Sequence, residues 1–332
     1  MTALVPARDE EEALPTTLPA LLGQEPDLRV VLVDDRSSDG TAERARALGG
    51  SRVTVVAGTP TPPAWSGKVW ALAQGWGEID TPLVLLADAD VELRFGLLAA
   101  LRERRDSEGV QLVSLVARPE MSGWWERLLM PAFVYYFKLL YPFRLSNRPG
   151  GRVAAAAGGC VLVERSWVDS FGGFAAIRGE LIDDCALARA LKAAGGRTWI
   201  GLTRSARSVR PYGGLGGVWN MVARHAFTQL GHSVGRLLAC SLLLALAYWV
   251  PVAGLFSGGP AAGLSAVALG VMVTTYAPTL RYYGRSPAWA LLLPVISTLY
   301  LAMTWTSAVR HWRGTGGRWK GRSLSGLAAR ST

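Results

Sequence analysis

Between Arg236 and Arg281 the chain runs 44 residues without a charged side chain, and residues 286–309 form a second uncharged run of 24. Ser257-Gly258-Gly259-Pro260 breaks the first run near its middle. Each half, 237–256 and 261–280, then has about the ~20 residues that a bilayer crossing requires. Buried helices of water-soluble domains rarely stay uncharged over such lengths, so these segments are expected to enter a membrane. Tyr248, Trp249, Tyr276, Tyr282, Tyr283, Trp289, Tyr300 and Trp305 often fall near segment ends, where amphipathic rings favour the membrane–water boundary.

Charge divides the chain in the same way. Residues 1–120 hold 12 basic and 19 acidic side chains, a net of −7, and residues 121–332 hold 23 and 6, a net of +17, which together give the +10 of the whole chain. The last carboxylate side chain is Asp184; the 148 residues after it contain 16 Arg or Lys. A nucleic-acid partner is not expected, because these cations flank apolar spans instead of forming a stripe with stacking aromatics. Half of the residues are hydrophobic, which excludes a disordered chain. Three cysteines and no C-x-x-C exclude a disulfide scaffold and a zinc ribbon.

Topology has two open readings. With the first 230 residues cytoplasmic, three crossings would leave the basic tail (Arg310, Arg313, Arg318, Lys320, Arg322) outside, against the positive-inside tendency. Either one segment is re-entrant, with Pro294 inside the third, or a further apolar helix lies upstream of a chain that opens just before a strand-end motif without a signal peptide. Ser122–Arg148, rich in aromatics and leucine but carrying Glu126, Arg127 and Lys138, is too interrupted to span and reads as a helix lying in the interface; an ordinary core helix is the alternative.

Residues 1–118 alternate in a strand–helix rhythm. Short apolar strands are expected at 30–33, 53–56, 83–87 and 112–116, and helices from about 41 to 48, 69 to 76 and 95 to 105. That alternation implies an α/β fold with a mostly parallel sheet, whose ligands sit outside the carboxyl ends of the strands. Arg8-Asp9-Glu10, Asp34-Asp35 and Asp88-Ala89-Asp90 stand there. Neither G-x-G-x-x-G after the first strand nor G-x-x-x-x-G-K-[ST] occurs, which argues against dinucleotide oxidoreductases and P-loop NTPases.

Asp88 and Asp90 are two hard oxygen ligands on one side of an extended stretch, suited to Mg²⁺ or Mn²⁺ shared with a diphosphate; a solvated strand end is the alternative. A strand-end carboxylate such as Asp34 can accept from a base imide or a ribose hydroxyl, and Asp39 is expected to cap the next helix. Gly67 and Lys68, closing the Pro-rich loop 58–64, can approach a phosphate, or form a plain surface loop. Asp183-Asp184 at a helix start either complement the helix dipole or supply a general base.

Four motifs then carry a resemblance. Val5-Pro6-Ala7-Arg8-Asp9-Glu10-Glu11, Val33-Asp34-Asp35-x-Ser37-x-Asp39-Gly40-Thr41, Asp88-Ala89-Asp90 and Asp183-Asp184-x-x-Leu187-x-Arg189 resemble, in order, the motifs of the inverting GT-A glycosyltransferases of family 2. Within that family the chain looks most like the hopanoid-associated members, by Trp65-Ser66-Gly67-Lys68-Val69-Trp70-Ala71, the aromatic stretch 123–143, Leu181-Ile182-Asp183-Asp184 and the segment Trp219–Leu230. The resemblance implies a nucleotide-diphosphate sugar donor held by Pro6, Arg8, Glu10, Asp34, Asp35, Lys68 and Asp88, a divalent metal (Mg or Mn) on Asp88 and Asp90, and Asp184 as catalytic base. Arg224 stands where processive and lipid-modifying members have the Arg of Q-x-x-R-W, and would contact the diphosphate; an interfacial Arg meeting lipid phosphate is the alternative. Met221 and His225 replace the Gln and Trp of that motif, which speaks against a processive polysaccharide synthase.

The expected organisation is a cytoplasmic GT-A domain at 1–235 with an interfacial helix at about 122–148, transmembrane helices at 236–310 and a basic tail at 311–332. The expected function is sugar transfer to a membrane lipid, a hopanoid by resemblance, at the cytoplasmic side of a bacterial inner membrane. The alternatives are another lipid acceptor, of polyprenyl-phosphate or ceramide type, and a non-catalytic membrane scaffold that keeps a nucleotide-binding domain.

Overall fold

Strand β1 (Thr2–Ala7) is buried along its whole length, and its alternate residues face two different cores. Ala3 and Val5 belong to one cluster and Leu4 to the other; β2 (Arg29–Asp34) splits the same way, with Val30 and Leu32 against Val31 and Val33. A strand apolar on both faces needs cover on both, which is why helices flank this sheet on each side. A computed structural model describes residues 1–316. The chain forms two units, the first from Met1–Glu120 and Tyr141–Arg210, the second from Met121–Leu140 and residues 211–316.

In the first unit the elements follow as β1, α1 (Leu14–Leu22), β2, α2 (Thr41–Gly49), β3 (Val53–Ala57), α3 (Gly67–Trp76), β4 (Leu83–Ala87), β5 (Val91–Leu93), α4 (Leu97–Glu108) and β6 (Leu112–Arg118). Beyond the helix α5 (Trp124–Leu140) of the second unit come α6 (Phe143–Ser146), β7 (Cys160–Glu164), α7 (Arg165–Ser170), α8 (Asp183–Ala193) and β8 (Thr198–Ser208). The eight strands order as β3-β2-β1-β4-β7-β6-β8-β5. β1, β2, β3 and β4 run parallel, as do β6 and β8; β7 is antiparallel to β4 and β6, and β5 to β8. The mostly parallel sheet expected from the sequence is present, with antiparallel strands inserted at β7 and β5.

One face is covered by α1 and α4, through Leu14, Leu18 and Leu21 and through Leu97, Leu98 and Leu101. Their three- and four-residue spacing lines one side of each helix. The other face is covered by α3 and α8, through Val69, Leu72 and Trp76 and through Leu187 and Leu191. Gly75 lets α3 sit hard on the sheet: a Cβ there would lie 2.4 Å from Leu4 and 2.6 Å from Val33 side-chain carbons.

The second unit contains α5, α9 (Leu215–Gln229) and three helices long and apolar enough to cross a membrane, Val234–Gly254, Gly259–Tyr282 and Pro287–Trp312. The expected break falls where it was read, with Gly258 and Gly259 at positive φ between the first two. Pro294 lies inside the third span, as expected, and occupies the first turn of its α-helical stretch Leu293–Trp312, where its missing N–H costs nothing. Within this unit α5 buries Leu128, Leu129, Met130, Ala132 and Val134 and leaves Trp124, Leu139 and Leu140 exposed. The Tyr300 hydroxyl donates to Leu129 O at 2.8 Å, and Tyr135 and Thr275 hydroxyls meet at 3.1 Å. Of the expected basic tail at 311–332, residues 317–332, which include Arg318, Lys320 and Arg322, lie outside the described residues.

Candidate active site

Two clusters form at the carboxyl ends of the strands of the first unit. At the first, β1 and β2 end side by side, with Ala7 opposite Asp34 in the parallel register. Pro6 is the penultimate residue of β1 and also lines the pocket described below. Arg8 follows β1 and donates to Asp35 O at 2.9 Å, with its guanidinium 3.8 Å from the fully buried Asp35 carboxylate. Asp35 therefore frames the site from inside. Asp34 accepts from both the amide and the hydroxyl of Ser37, and Asp9 accepts from the Ser38 amide at 2.7 Å. Asp9 and Arg36 both adopt positive φ, +50° and +57°. That conformation is uncommon for an arginine and better tolerated by an aspartate; here Arg36 N donates to Asp34 O at 2.7 Å, and Asp9 is tied to the second loop through Ser37 and Ser38. Asp39 accepts from the Thr41 amide and hydroxyl and from Glu11 N, so it fastens the start of α2 to the β1 loop. Those bonds outweigh burial and hold its carboxyl below the usual range. This is the anchoring role expected of it, one residue earlier than the N-cap proper, Gly40.

The second cluster joins α3, β4, β7 and α8. Lys68, in the first turn of α3, places Nζ 2.8 Å from Asp88 and 3.4 Å from Asp183. Asp184 accepts from Gly158 N at 2.8 Å and from Cys185 N at 2.7 Å. The three carboxylates and the lysine line one pocket together with Pro6, Gly158 and Phe174. Gly158 lies close against the lysine: a Cβ there would lie 2.9 Å from Lys68 Nζ, so the ammonium would have to shift.

Burial pushes the Asp184 carboxyl up to about 6, and the charge of Asp183 adds to this; Lys68 and the two amides pull the other way without cancelling it. Burial alone would lower Lys68, but Asp183 and Asp88 outweigh it and keep the ammonium charged well above neutral pH. A carboxylate whose proton affinity is lifted towards neutral, next to a fixed cation, is what a general base requires.

A family model described as "Glycosyltransferase like family 2" matches residues 1–229. The chain belongs to this family. Two curated relatives are 4,4'-diaponeurosporenoate glycosyltransferases: that of Staphylococcus haemolyticus (strain JCSC1435) is 36% identical over 93 residues, and that of Staphylococcus aureus (strain USA300) is 35% identical over 91. The matched stretches cover 28% and 27% of this chain and 24% of each relative, so the chain spans about a quarter of the length of these relatives. Among solved structures, a mannosyltransferase from Pyrobaculum calidifontis, in complex with GDP-Man and Mn²⁺, superposes with a TM-score of 0.59 at 19% identity, covering 94% of this chain and 86% of that one. That likeness shows the GT-A fold.

In this family 2 glycosyltransferase, then, the structure gathers Lys68, Asp88 and Asp184 into one pocket and sets Arg8, Glu10, Asp34 and Asp35 on the neighbouring loops. Arg224 lies on α9 in the second unit. One participant, Arg210, escaped the sequence reading, and another, Asp183, takes a role beyond the one read for it. Asp183, read with Asp184 as a helix-dipole partner or general base, shares Lys68 with Asp88. Arg210, just after β8, donates through Nε to Asp90 at 3.1 Å and through its other arm to Glu10. Glu10 and Asp90 outweigh burial and raise the affinity of Arg210 for its proton.

Asp88 and Asp90 fit a divalent cation by donor chemistry. They do not lie along one extended stretch as expected: Asp88 follows β4 and lines the pocket, Ala89-Asp90 form a turn before β5, and each carboxylate already attracts a cation from the protein itself, Lys68 and Arg210. No group of three or more His, Cys, Asp or Glu side chains suited to a metal occurs among the described residues. Two carboxylates suffice where substrate phosphates complete the shell.

Proposed function

We propose that this protein is a membrane-bound inverting glycosyltransferase that moves a sugar from a nucleotide-diphosphate donor onto the hydroxyl of a membrane lipid, with Asp184 as general base. The observation that carries the reading is Asp184 itself: a carboxylate poised at about 6, fixed by the Gly158 and Cys185 amides, in the pocket of Lys68 and Asp88. Asp34 is suited to the donor's base or ribose, and Arg8 and Glu10 flank the same loops. A Mg²⁺ or Mn²⁺ ion on Asp88 and Asp90 would offset the charge of the diphosphate as it leaves. Asp184 removes the acceptor hydroxyl proton, the oxygen bonds to the anomeric carbon from the face opposite the diphosphate, and the bond to the diphosphate breaks. Lys68 stays cationic beside the departing charge.

A lipid acceptor is supported by the three apolar helices, by the exposed Trp124, Leu139 and Leu140 of α5, and by the named substrate of the staphylococcal relatives. The motifs shared with hopanoid-associated members make a hopanoid the acceptor of choice, at the cytoplasmic face of a bacterial inner membrane. The test incubates membranes holding the full chain with labelled nucleotide-diphosphate sugars and hopanoid, polyprenyl-phosphate and ceramide acceptors, and reads products by mass spectrometry. One added sugar of inverted configuration on the hopanoid is expected. Transfer only to another lipid would replace the acceptor, and donor binding without transfer to any lipid would leave a scaffold.

A further inference from the structure

Asp90 is not an open ligand. Arg210 Nε donates to its Oδ2 at 3.1 Å, while the other end of the same guanidinium is held by Glu10, a nearly buried carboxylate. The backbone enforces this meeting: Val209 N donates to Asp90 O at 2.8 Å and Val91 pairs with Ser208, so the end of β8 is tied to the Asp88-Ala89-Asp90 turn. The guanidinium therefore occupies one carboxylate oxygen of the second acidic residue of that turn.

We propose that Arg210 is the resident counter-cation of Asp90: a divalent ion displaces it, and the released arm then holds the diphosphate that arrives with the ion. This rests on the donor and metal reading above. A small hard dication prefers carboxylate oxygen more strongly than a delocalised guanidinium does. Two cations sharing Asp90 repel at contact distance in a partly buried site. Glu10 keeps the arginine anchored while its Nε side turns away, and a planar fork of donors suits phosphate oxygens. Arg210 thus offsets part of the charge of Asp90 and Glu10 in the empty site, binds the diphosphate once released, and makes metal and diphosphate binding depend on one another.

The test measures Mn²⁺ binding to the purified full chain by the electron paramagnetic resonance signal of the free ion, with and without inorganic pyrophosphate. Arg210→Gln is expected to bind Mn²⁺ alone about tenfold more tightly than wild type, and to bind pyrophosphate in the presence of Mn²⁺ about tenfold more weakly. Arg210→Lys keeps a competing charge, remains close to wild type for Mn²⁺ alone, and serves as the folding control. Unchanged or weaker Mn²⁺ binding in Arg210→Gln overturns the proposal, as does an equal gain in Arg210→Lys. If wild type and both variants bind no Mn²⁺, the metal reading itself fails, and the proposal fails with it. Should Arg210→Gln not fold, Arg210→Met is read by the same criteria.

Discussion

The proton affinity of Asp184 is raised by burial and by Asp183 and is held back by Lys68. Asp184 must be ionised to accept a proton, and its carboxyl is held up to about 6, so kcat/KM for sugar transfer should fall as pH drops through about 6. Lys68 is one of the groups holding that value down. Replacing it with the neutral Lys68→Met should move the acidic limb to higher pH, measured as the pH profile of kcat/KM; an unmoved limb would separate the two residues. The same shift affects stability. The folded chain keeps a proton on Asp184 between the ordinary carboxyl range and about 6, while the unfolded chain has lost it, so this group's contribution to stability declines as pH rises through that window. Asp184, Asp88 and Lys68 were legible as strand-end and helix-start motifs. Arg210 was not, because its partners Asp90 and Glu10 lie 120 and 200 residues away and no local pattern connects them.

The strands and helices expected in the first 118 residues lie within a few positions of those formed: 83–87 is β4, 53–56 lies within β3 and 69–76 within α3, while α1 and β5 were not expected. Less legible was direction. β7 runs antiparallel between β4 and β6, a pairing set by tertiary packing that an apolar run such as Cys160–Glu164 does not announce. Helix placement is set tightly as well. Gly75 sits where α3 touches β1 and β2, so Gly75→Ala forces Leu4 and Val33 to move. Overpacking of this kind costs about 1–3 kcal/mol, which should lower the thermal midpoint of the first unit by several degrees in a detergent-solubilised melt. An unchanged midpoint would show that α3 can lift from the sheet freely.

At the scale of the molecule, the charge division acquires parts. The acidic amino-terminal region sets carboxylates at strand ends, and the basic remainder flanks apolar helices. Helices of this length and composition should keep the chain in the membrane fraction through an alkaline carbonate wash, while release into the supernatant would mean peripheral attachment only. The spans and their break at Gly258-Gly259 were legible because hydrophobicity is a local property, whereas the hopanoid acceptor rested on resemblance, because hydropathy and spacing point only to a lipid. The central claim is base catalysis by Asp184 on sugar transfer to a lipid. Its most direct test is Asp184→Asn, which keeps side-chain size and removes the base. Transfer to lipid should fall by about 10²–10⁴-fold with donor binding retained, and transfer at the wild-type rate would contradict the claim.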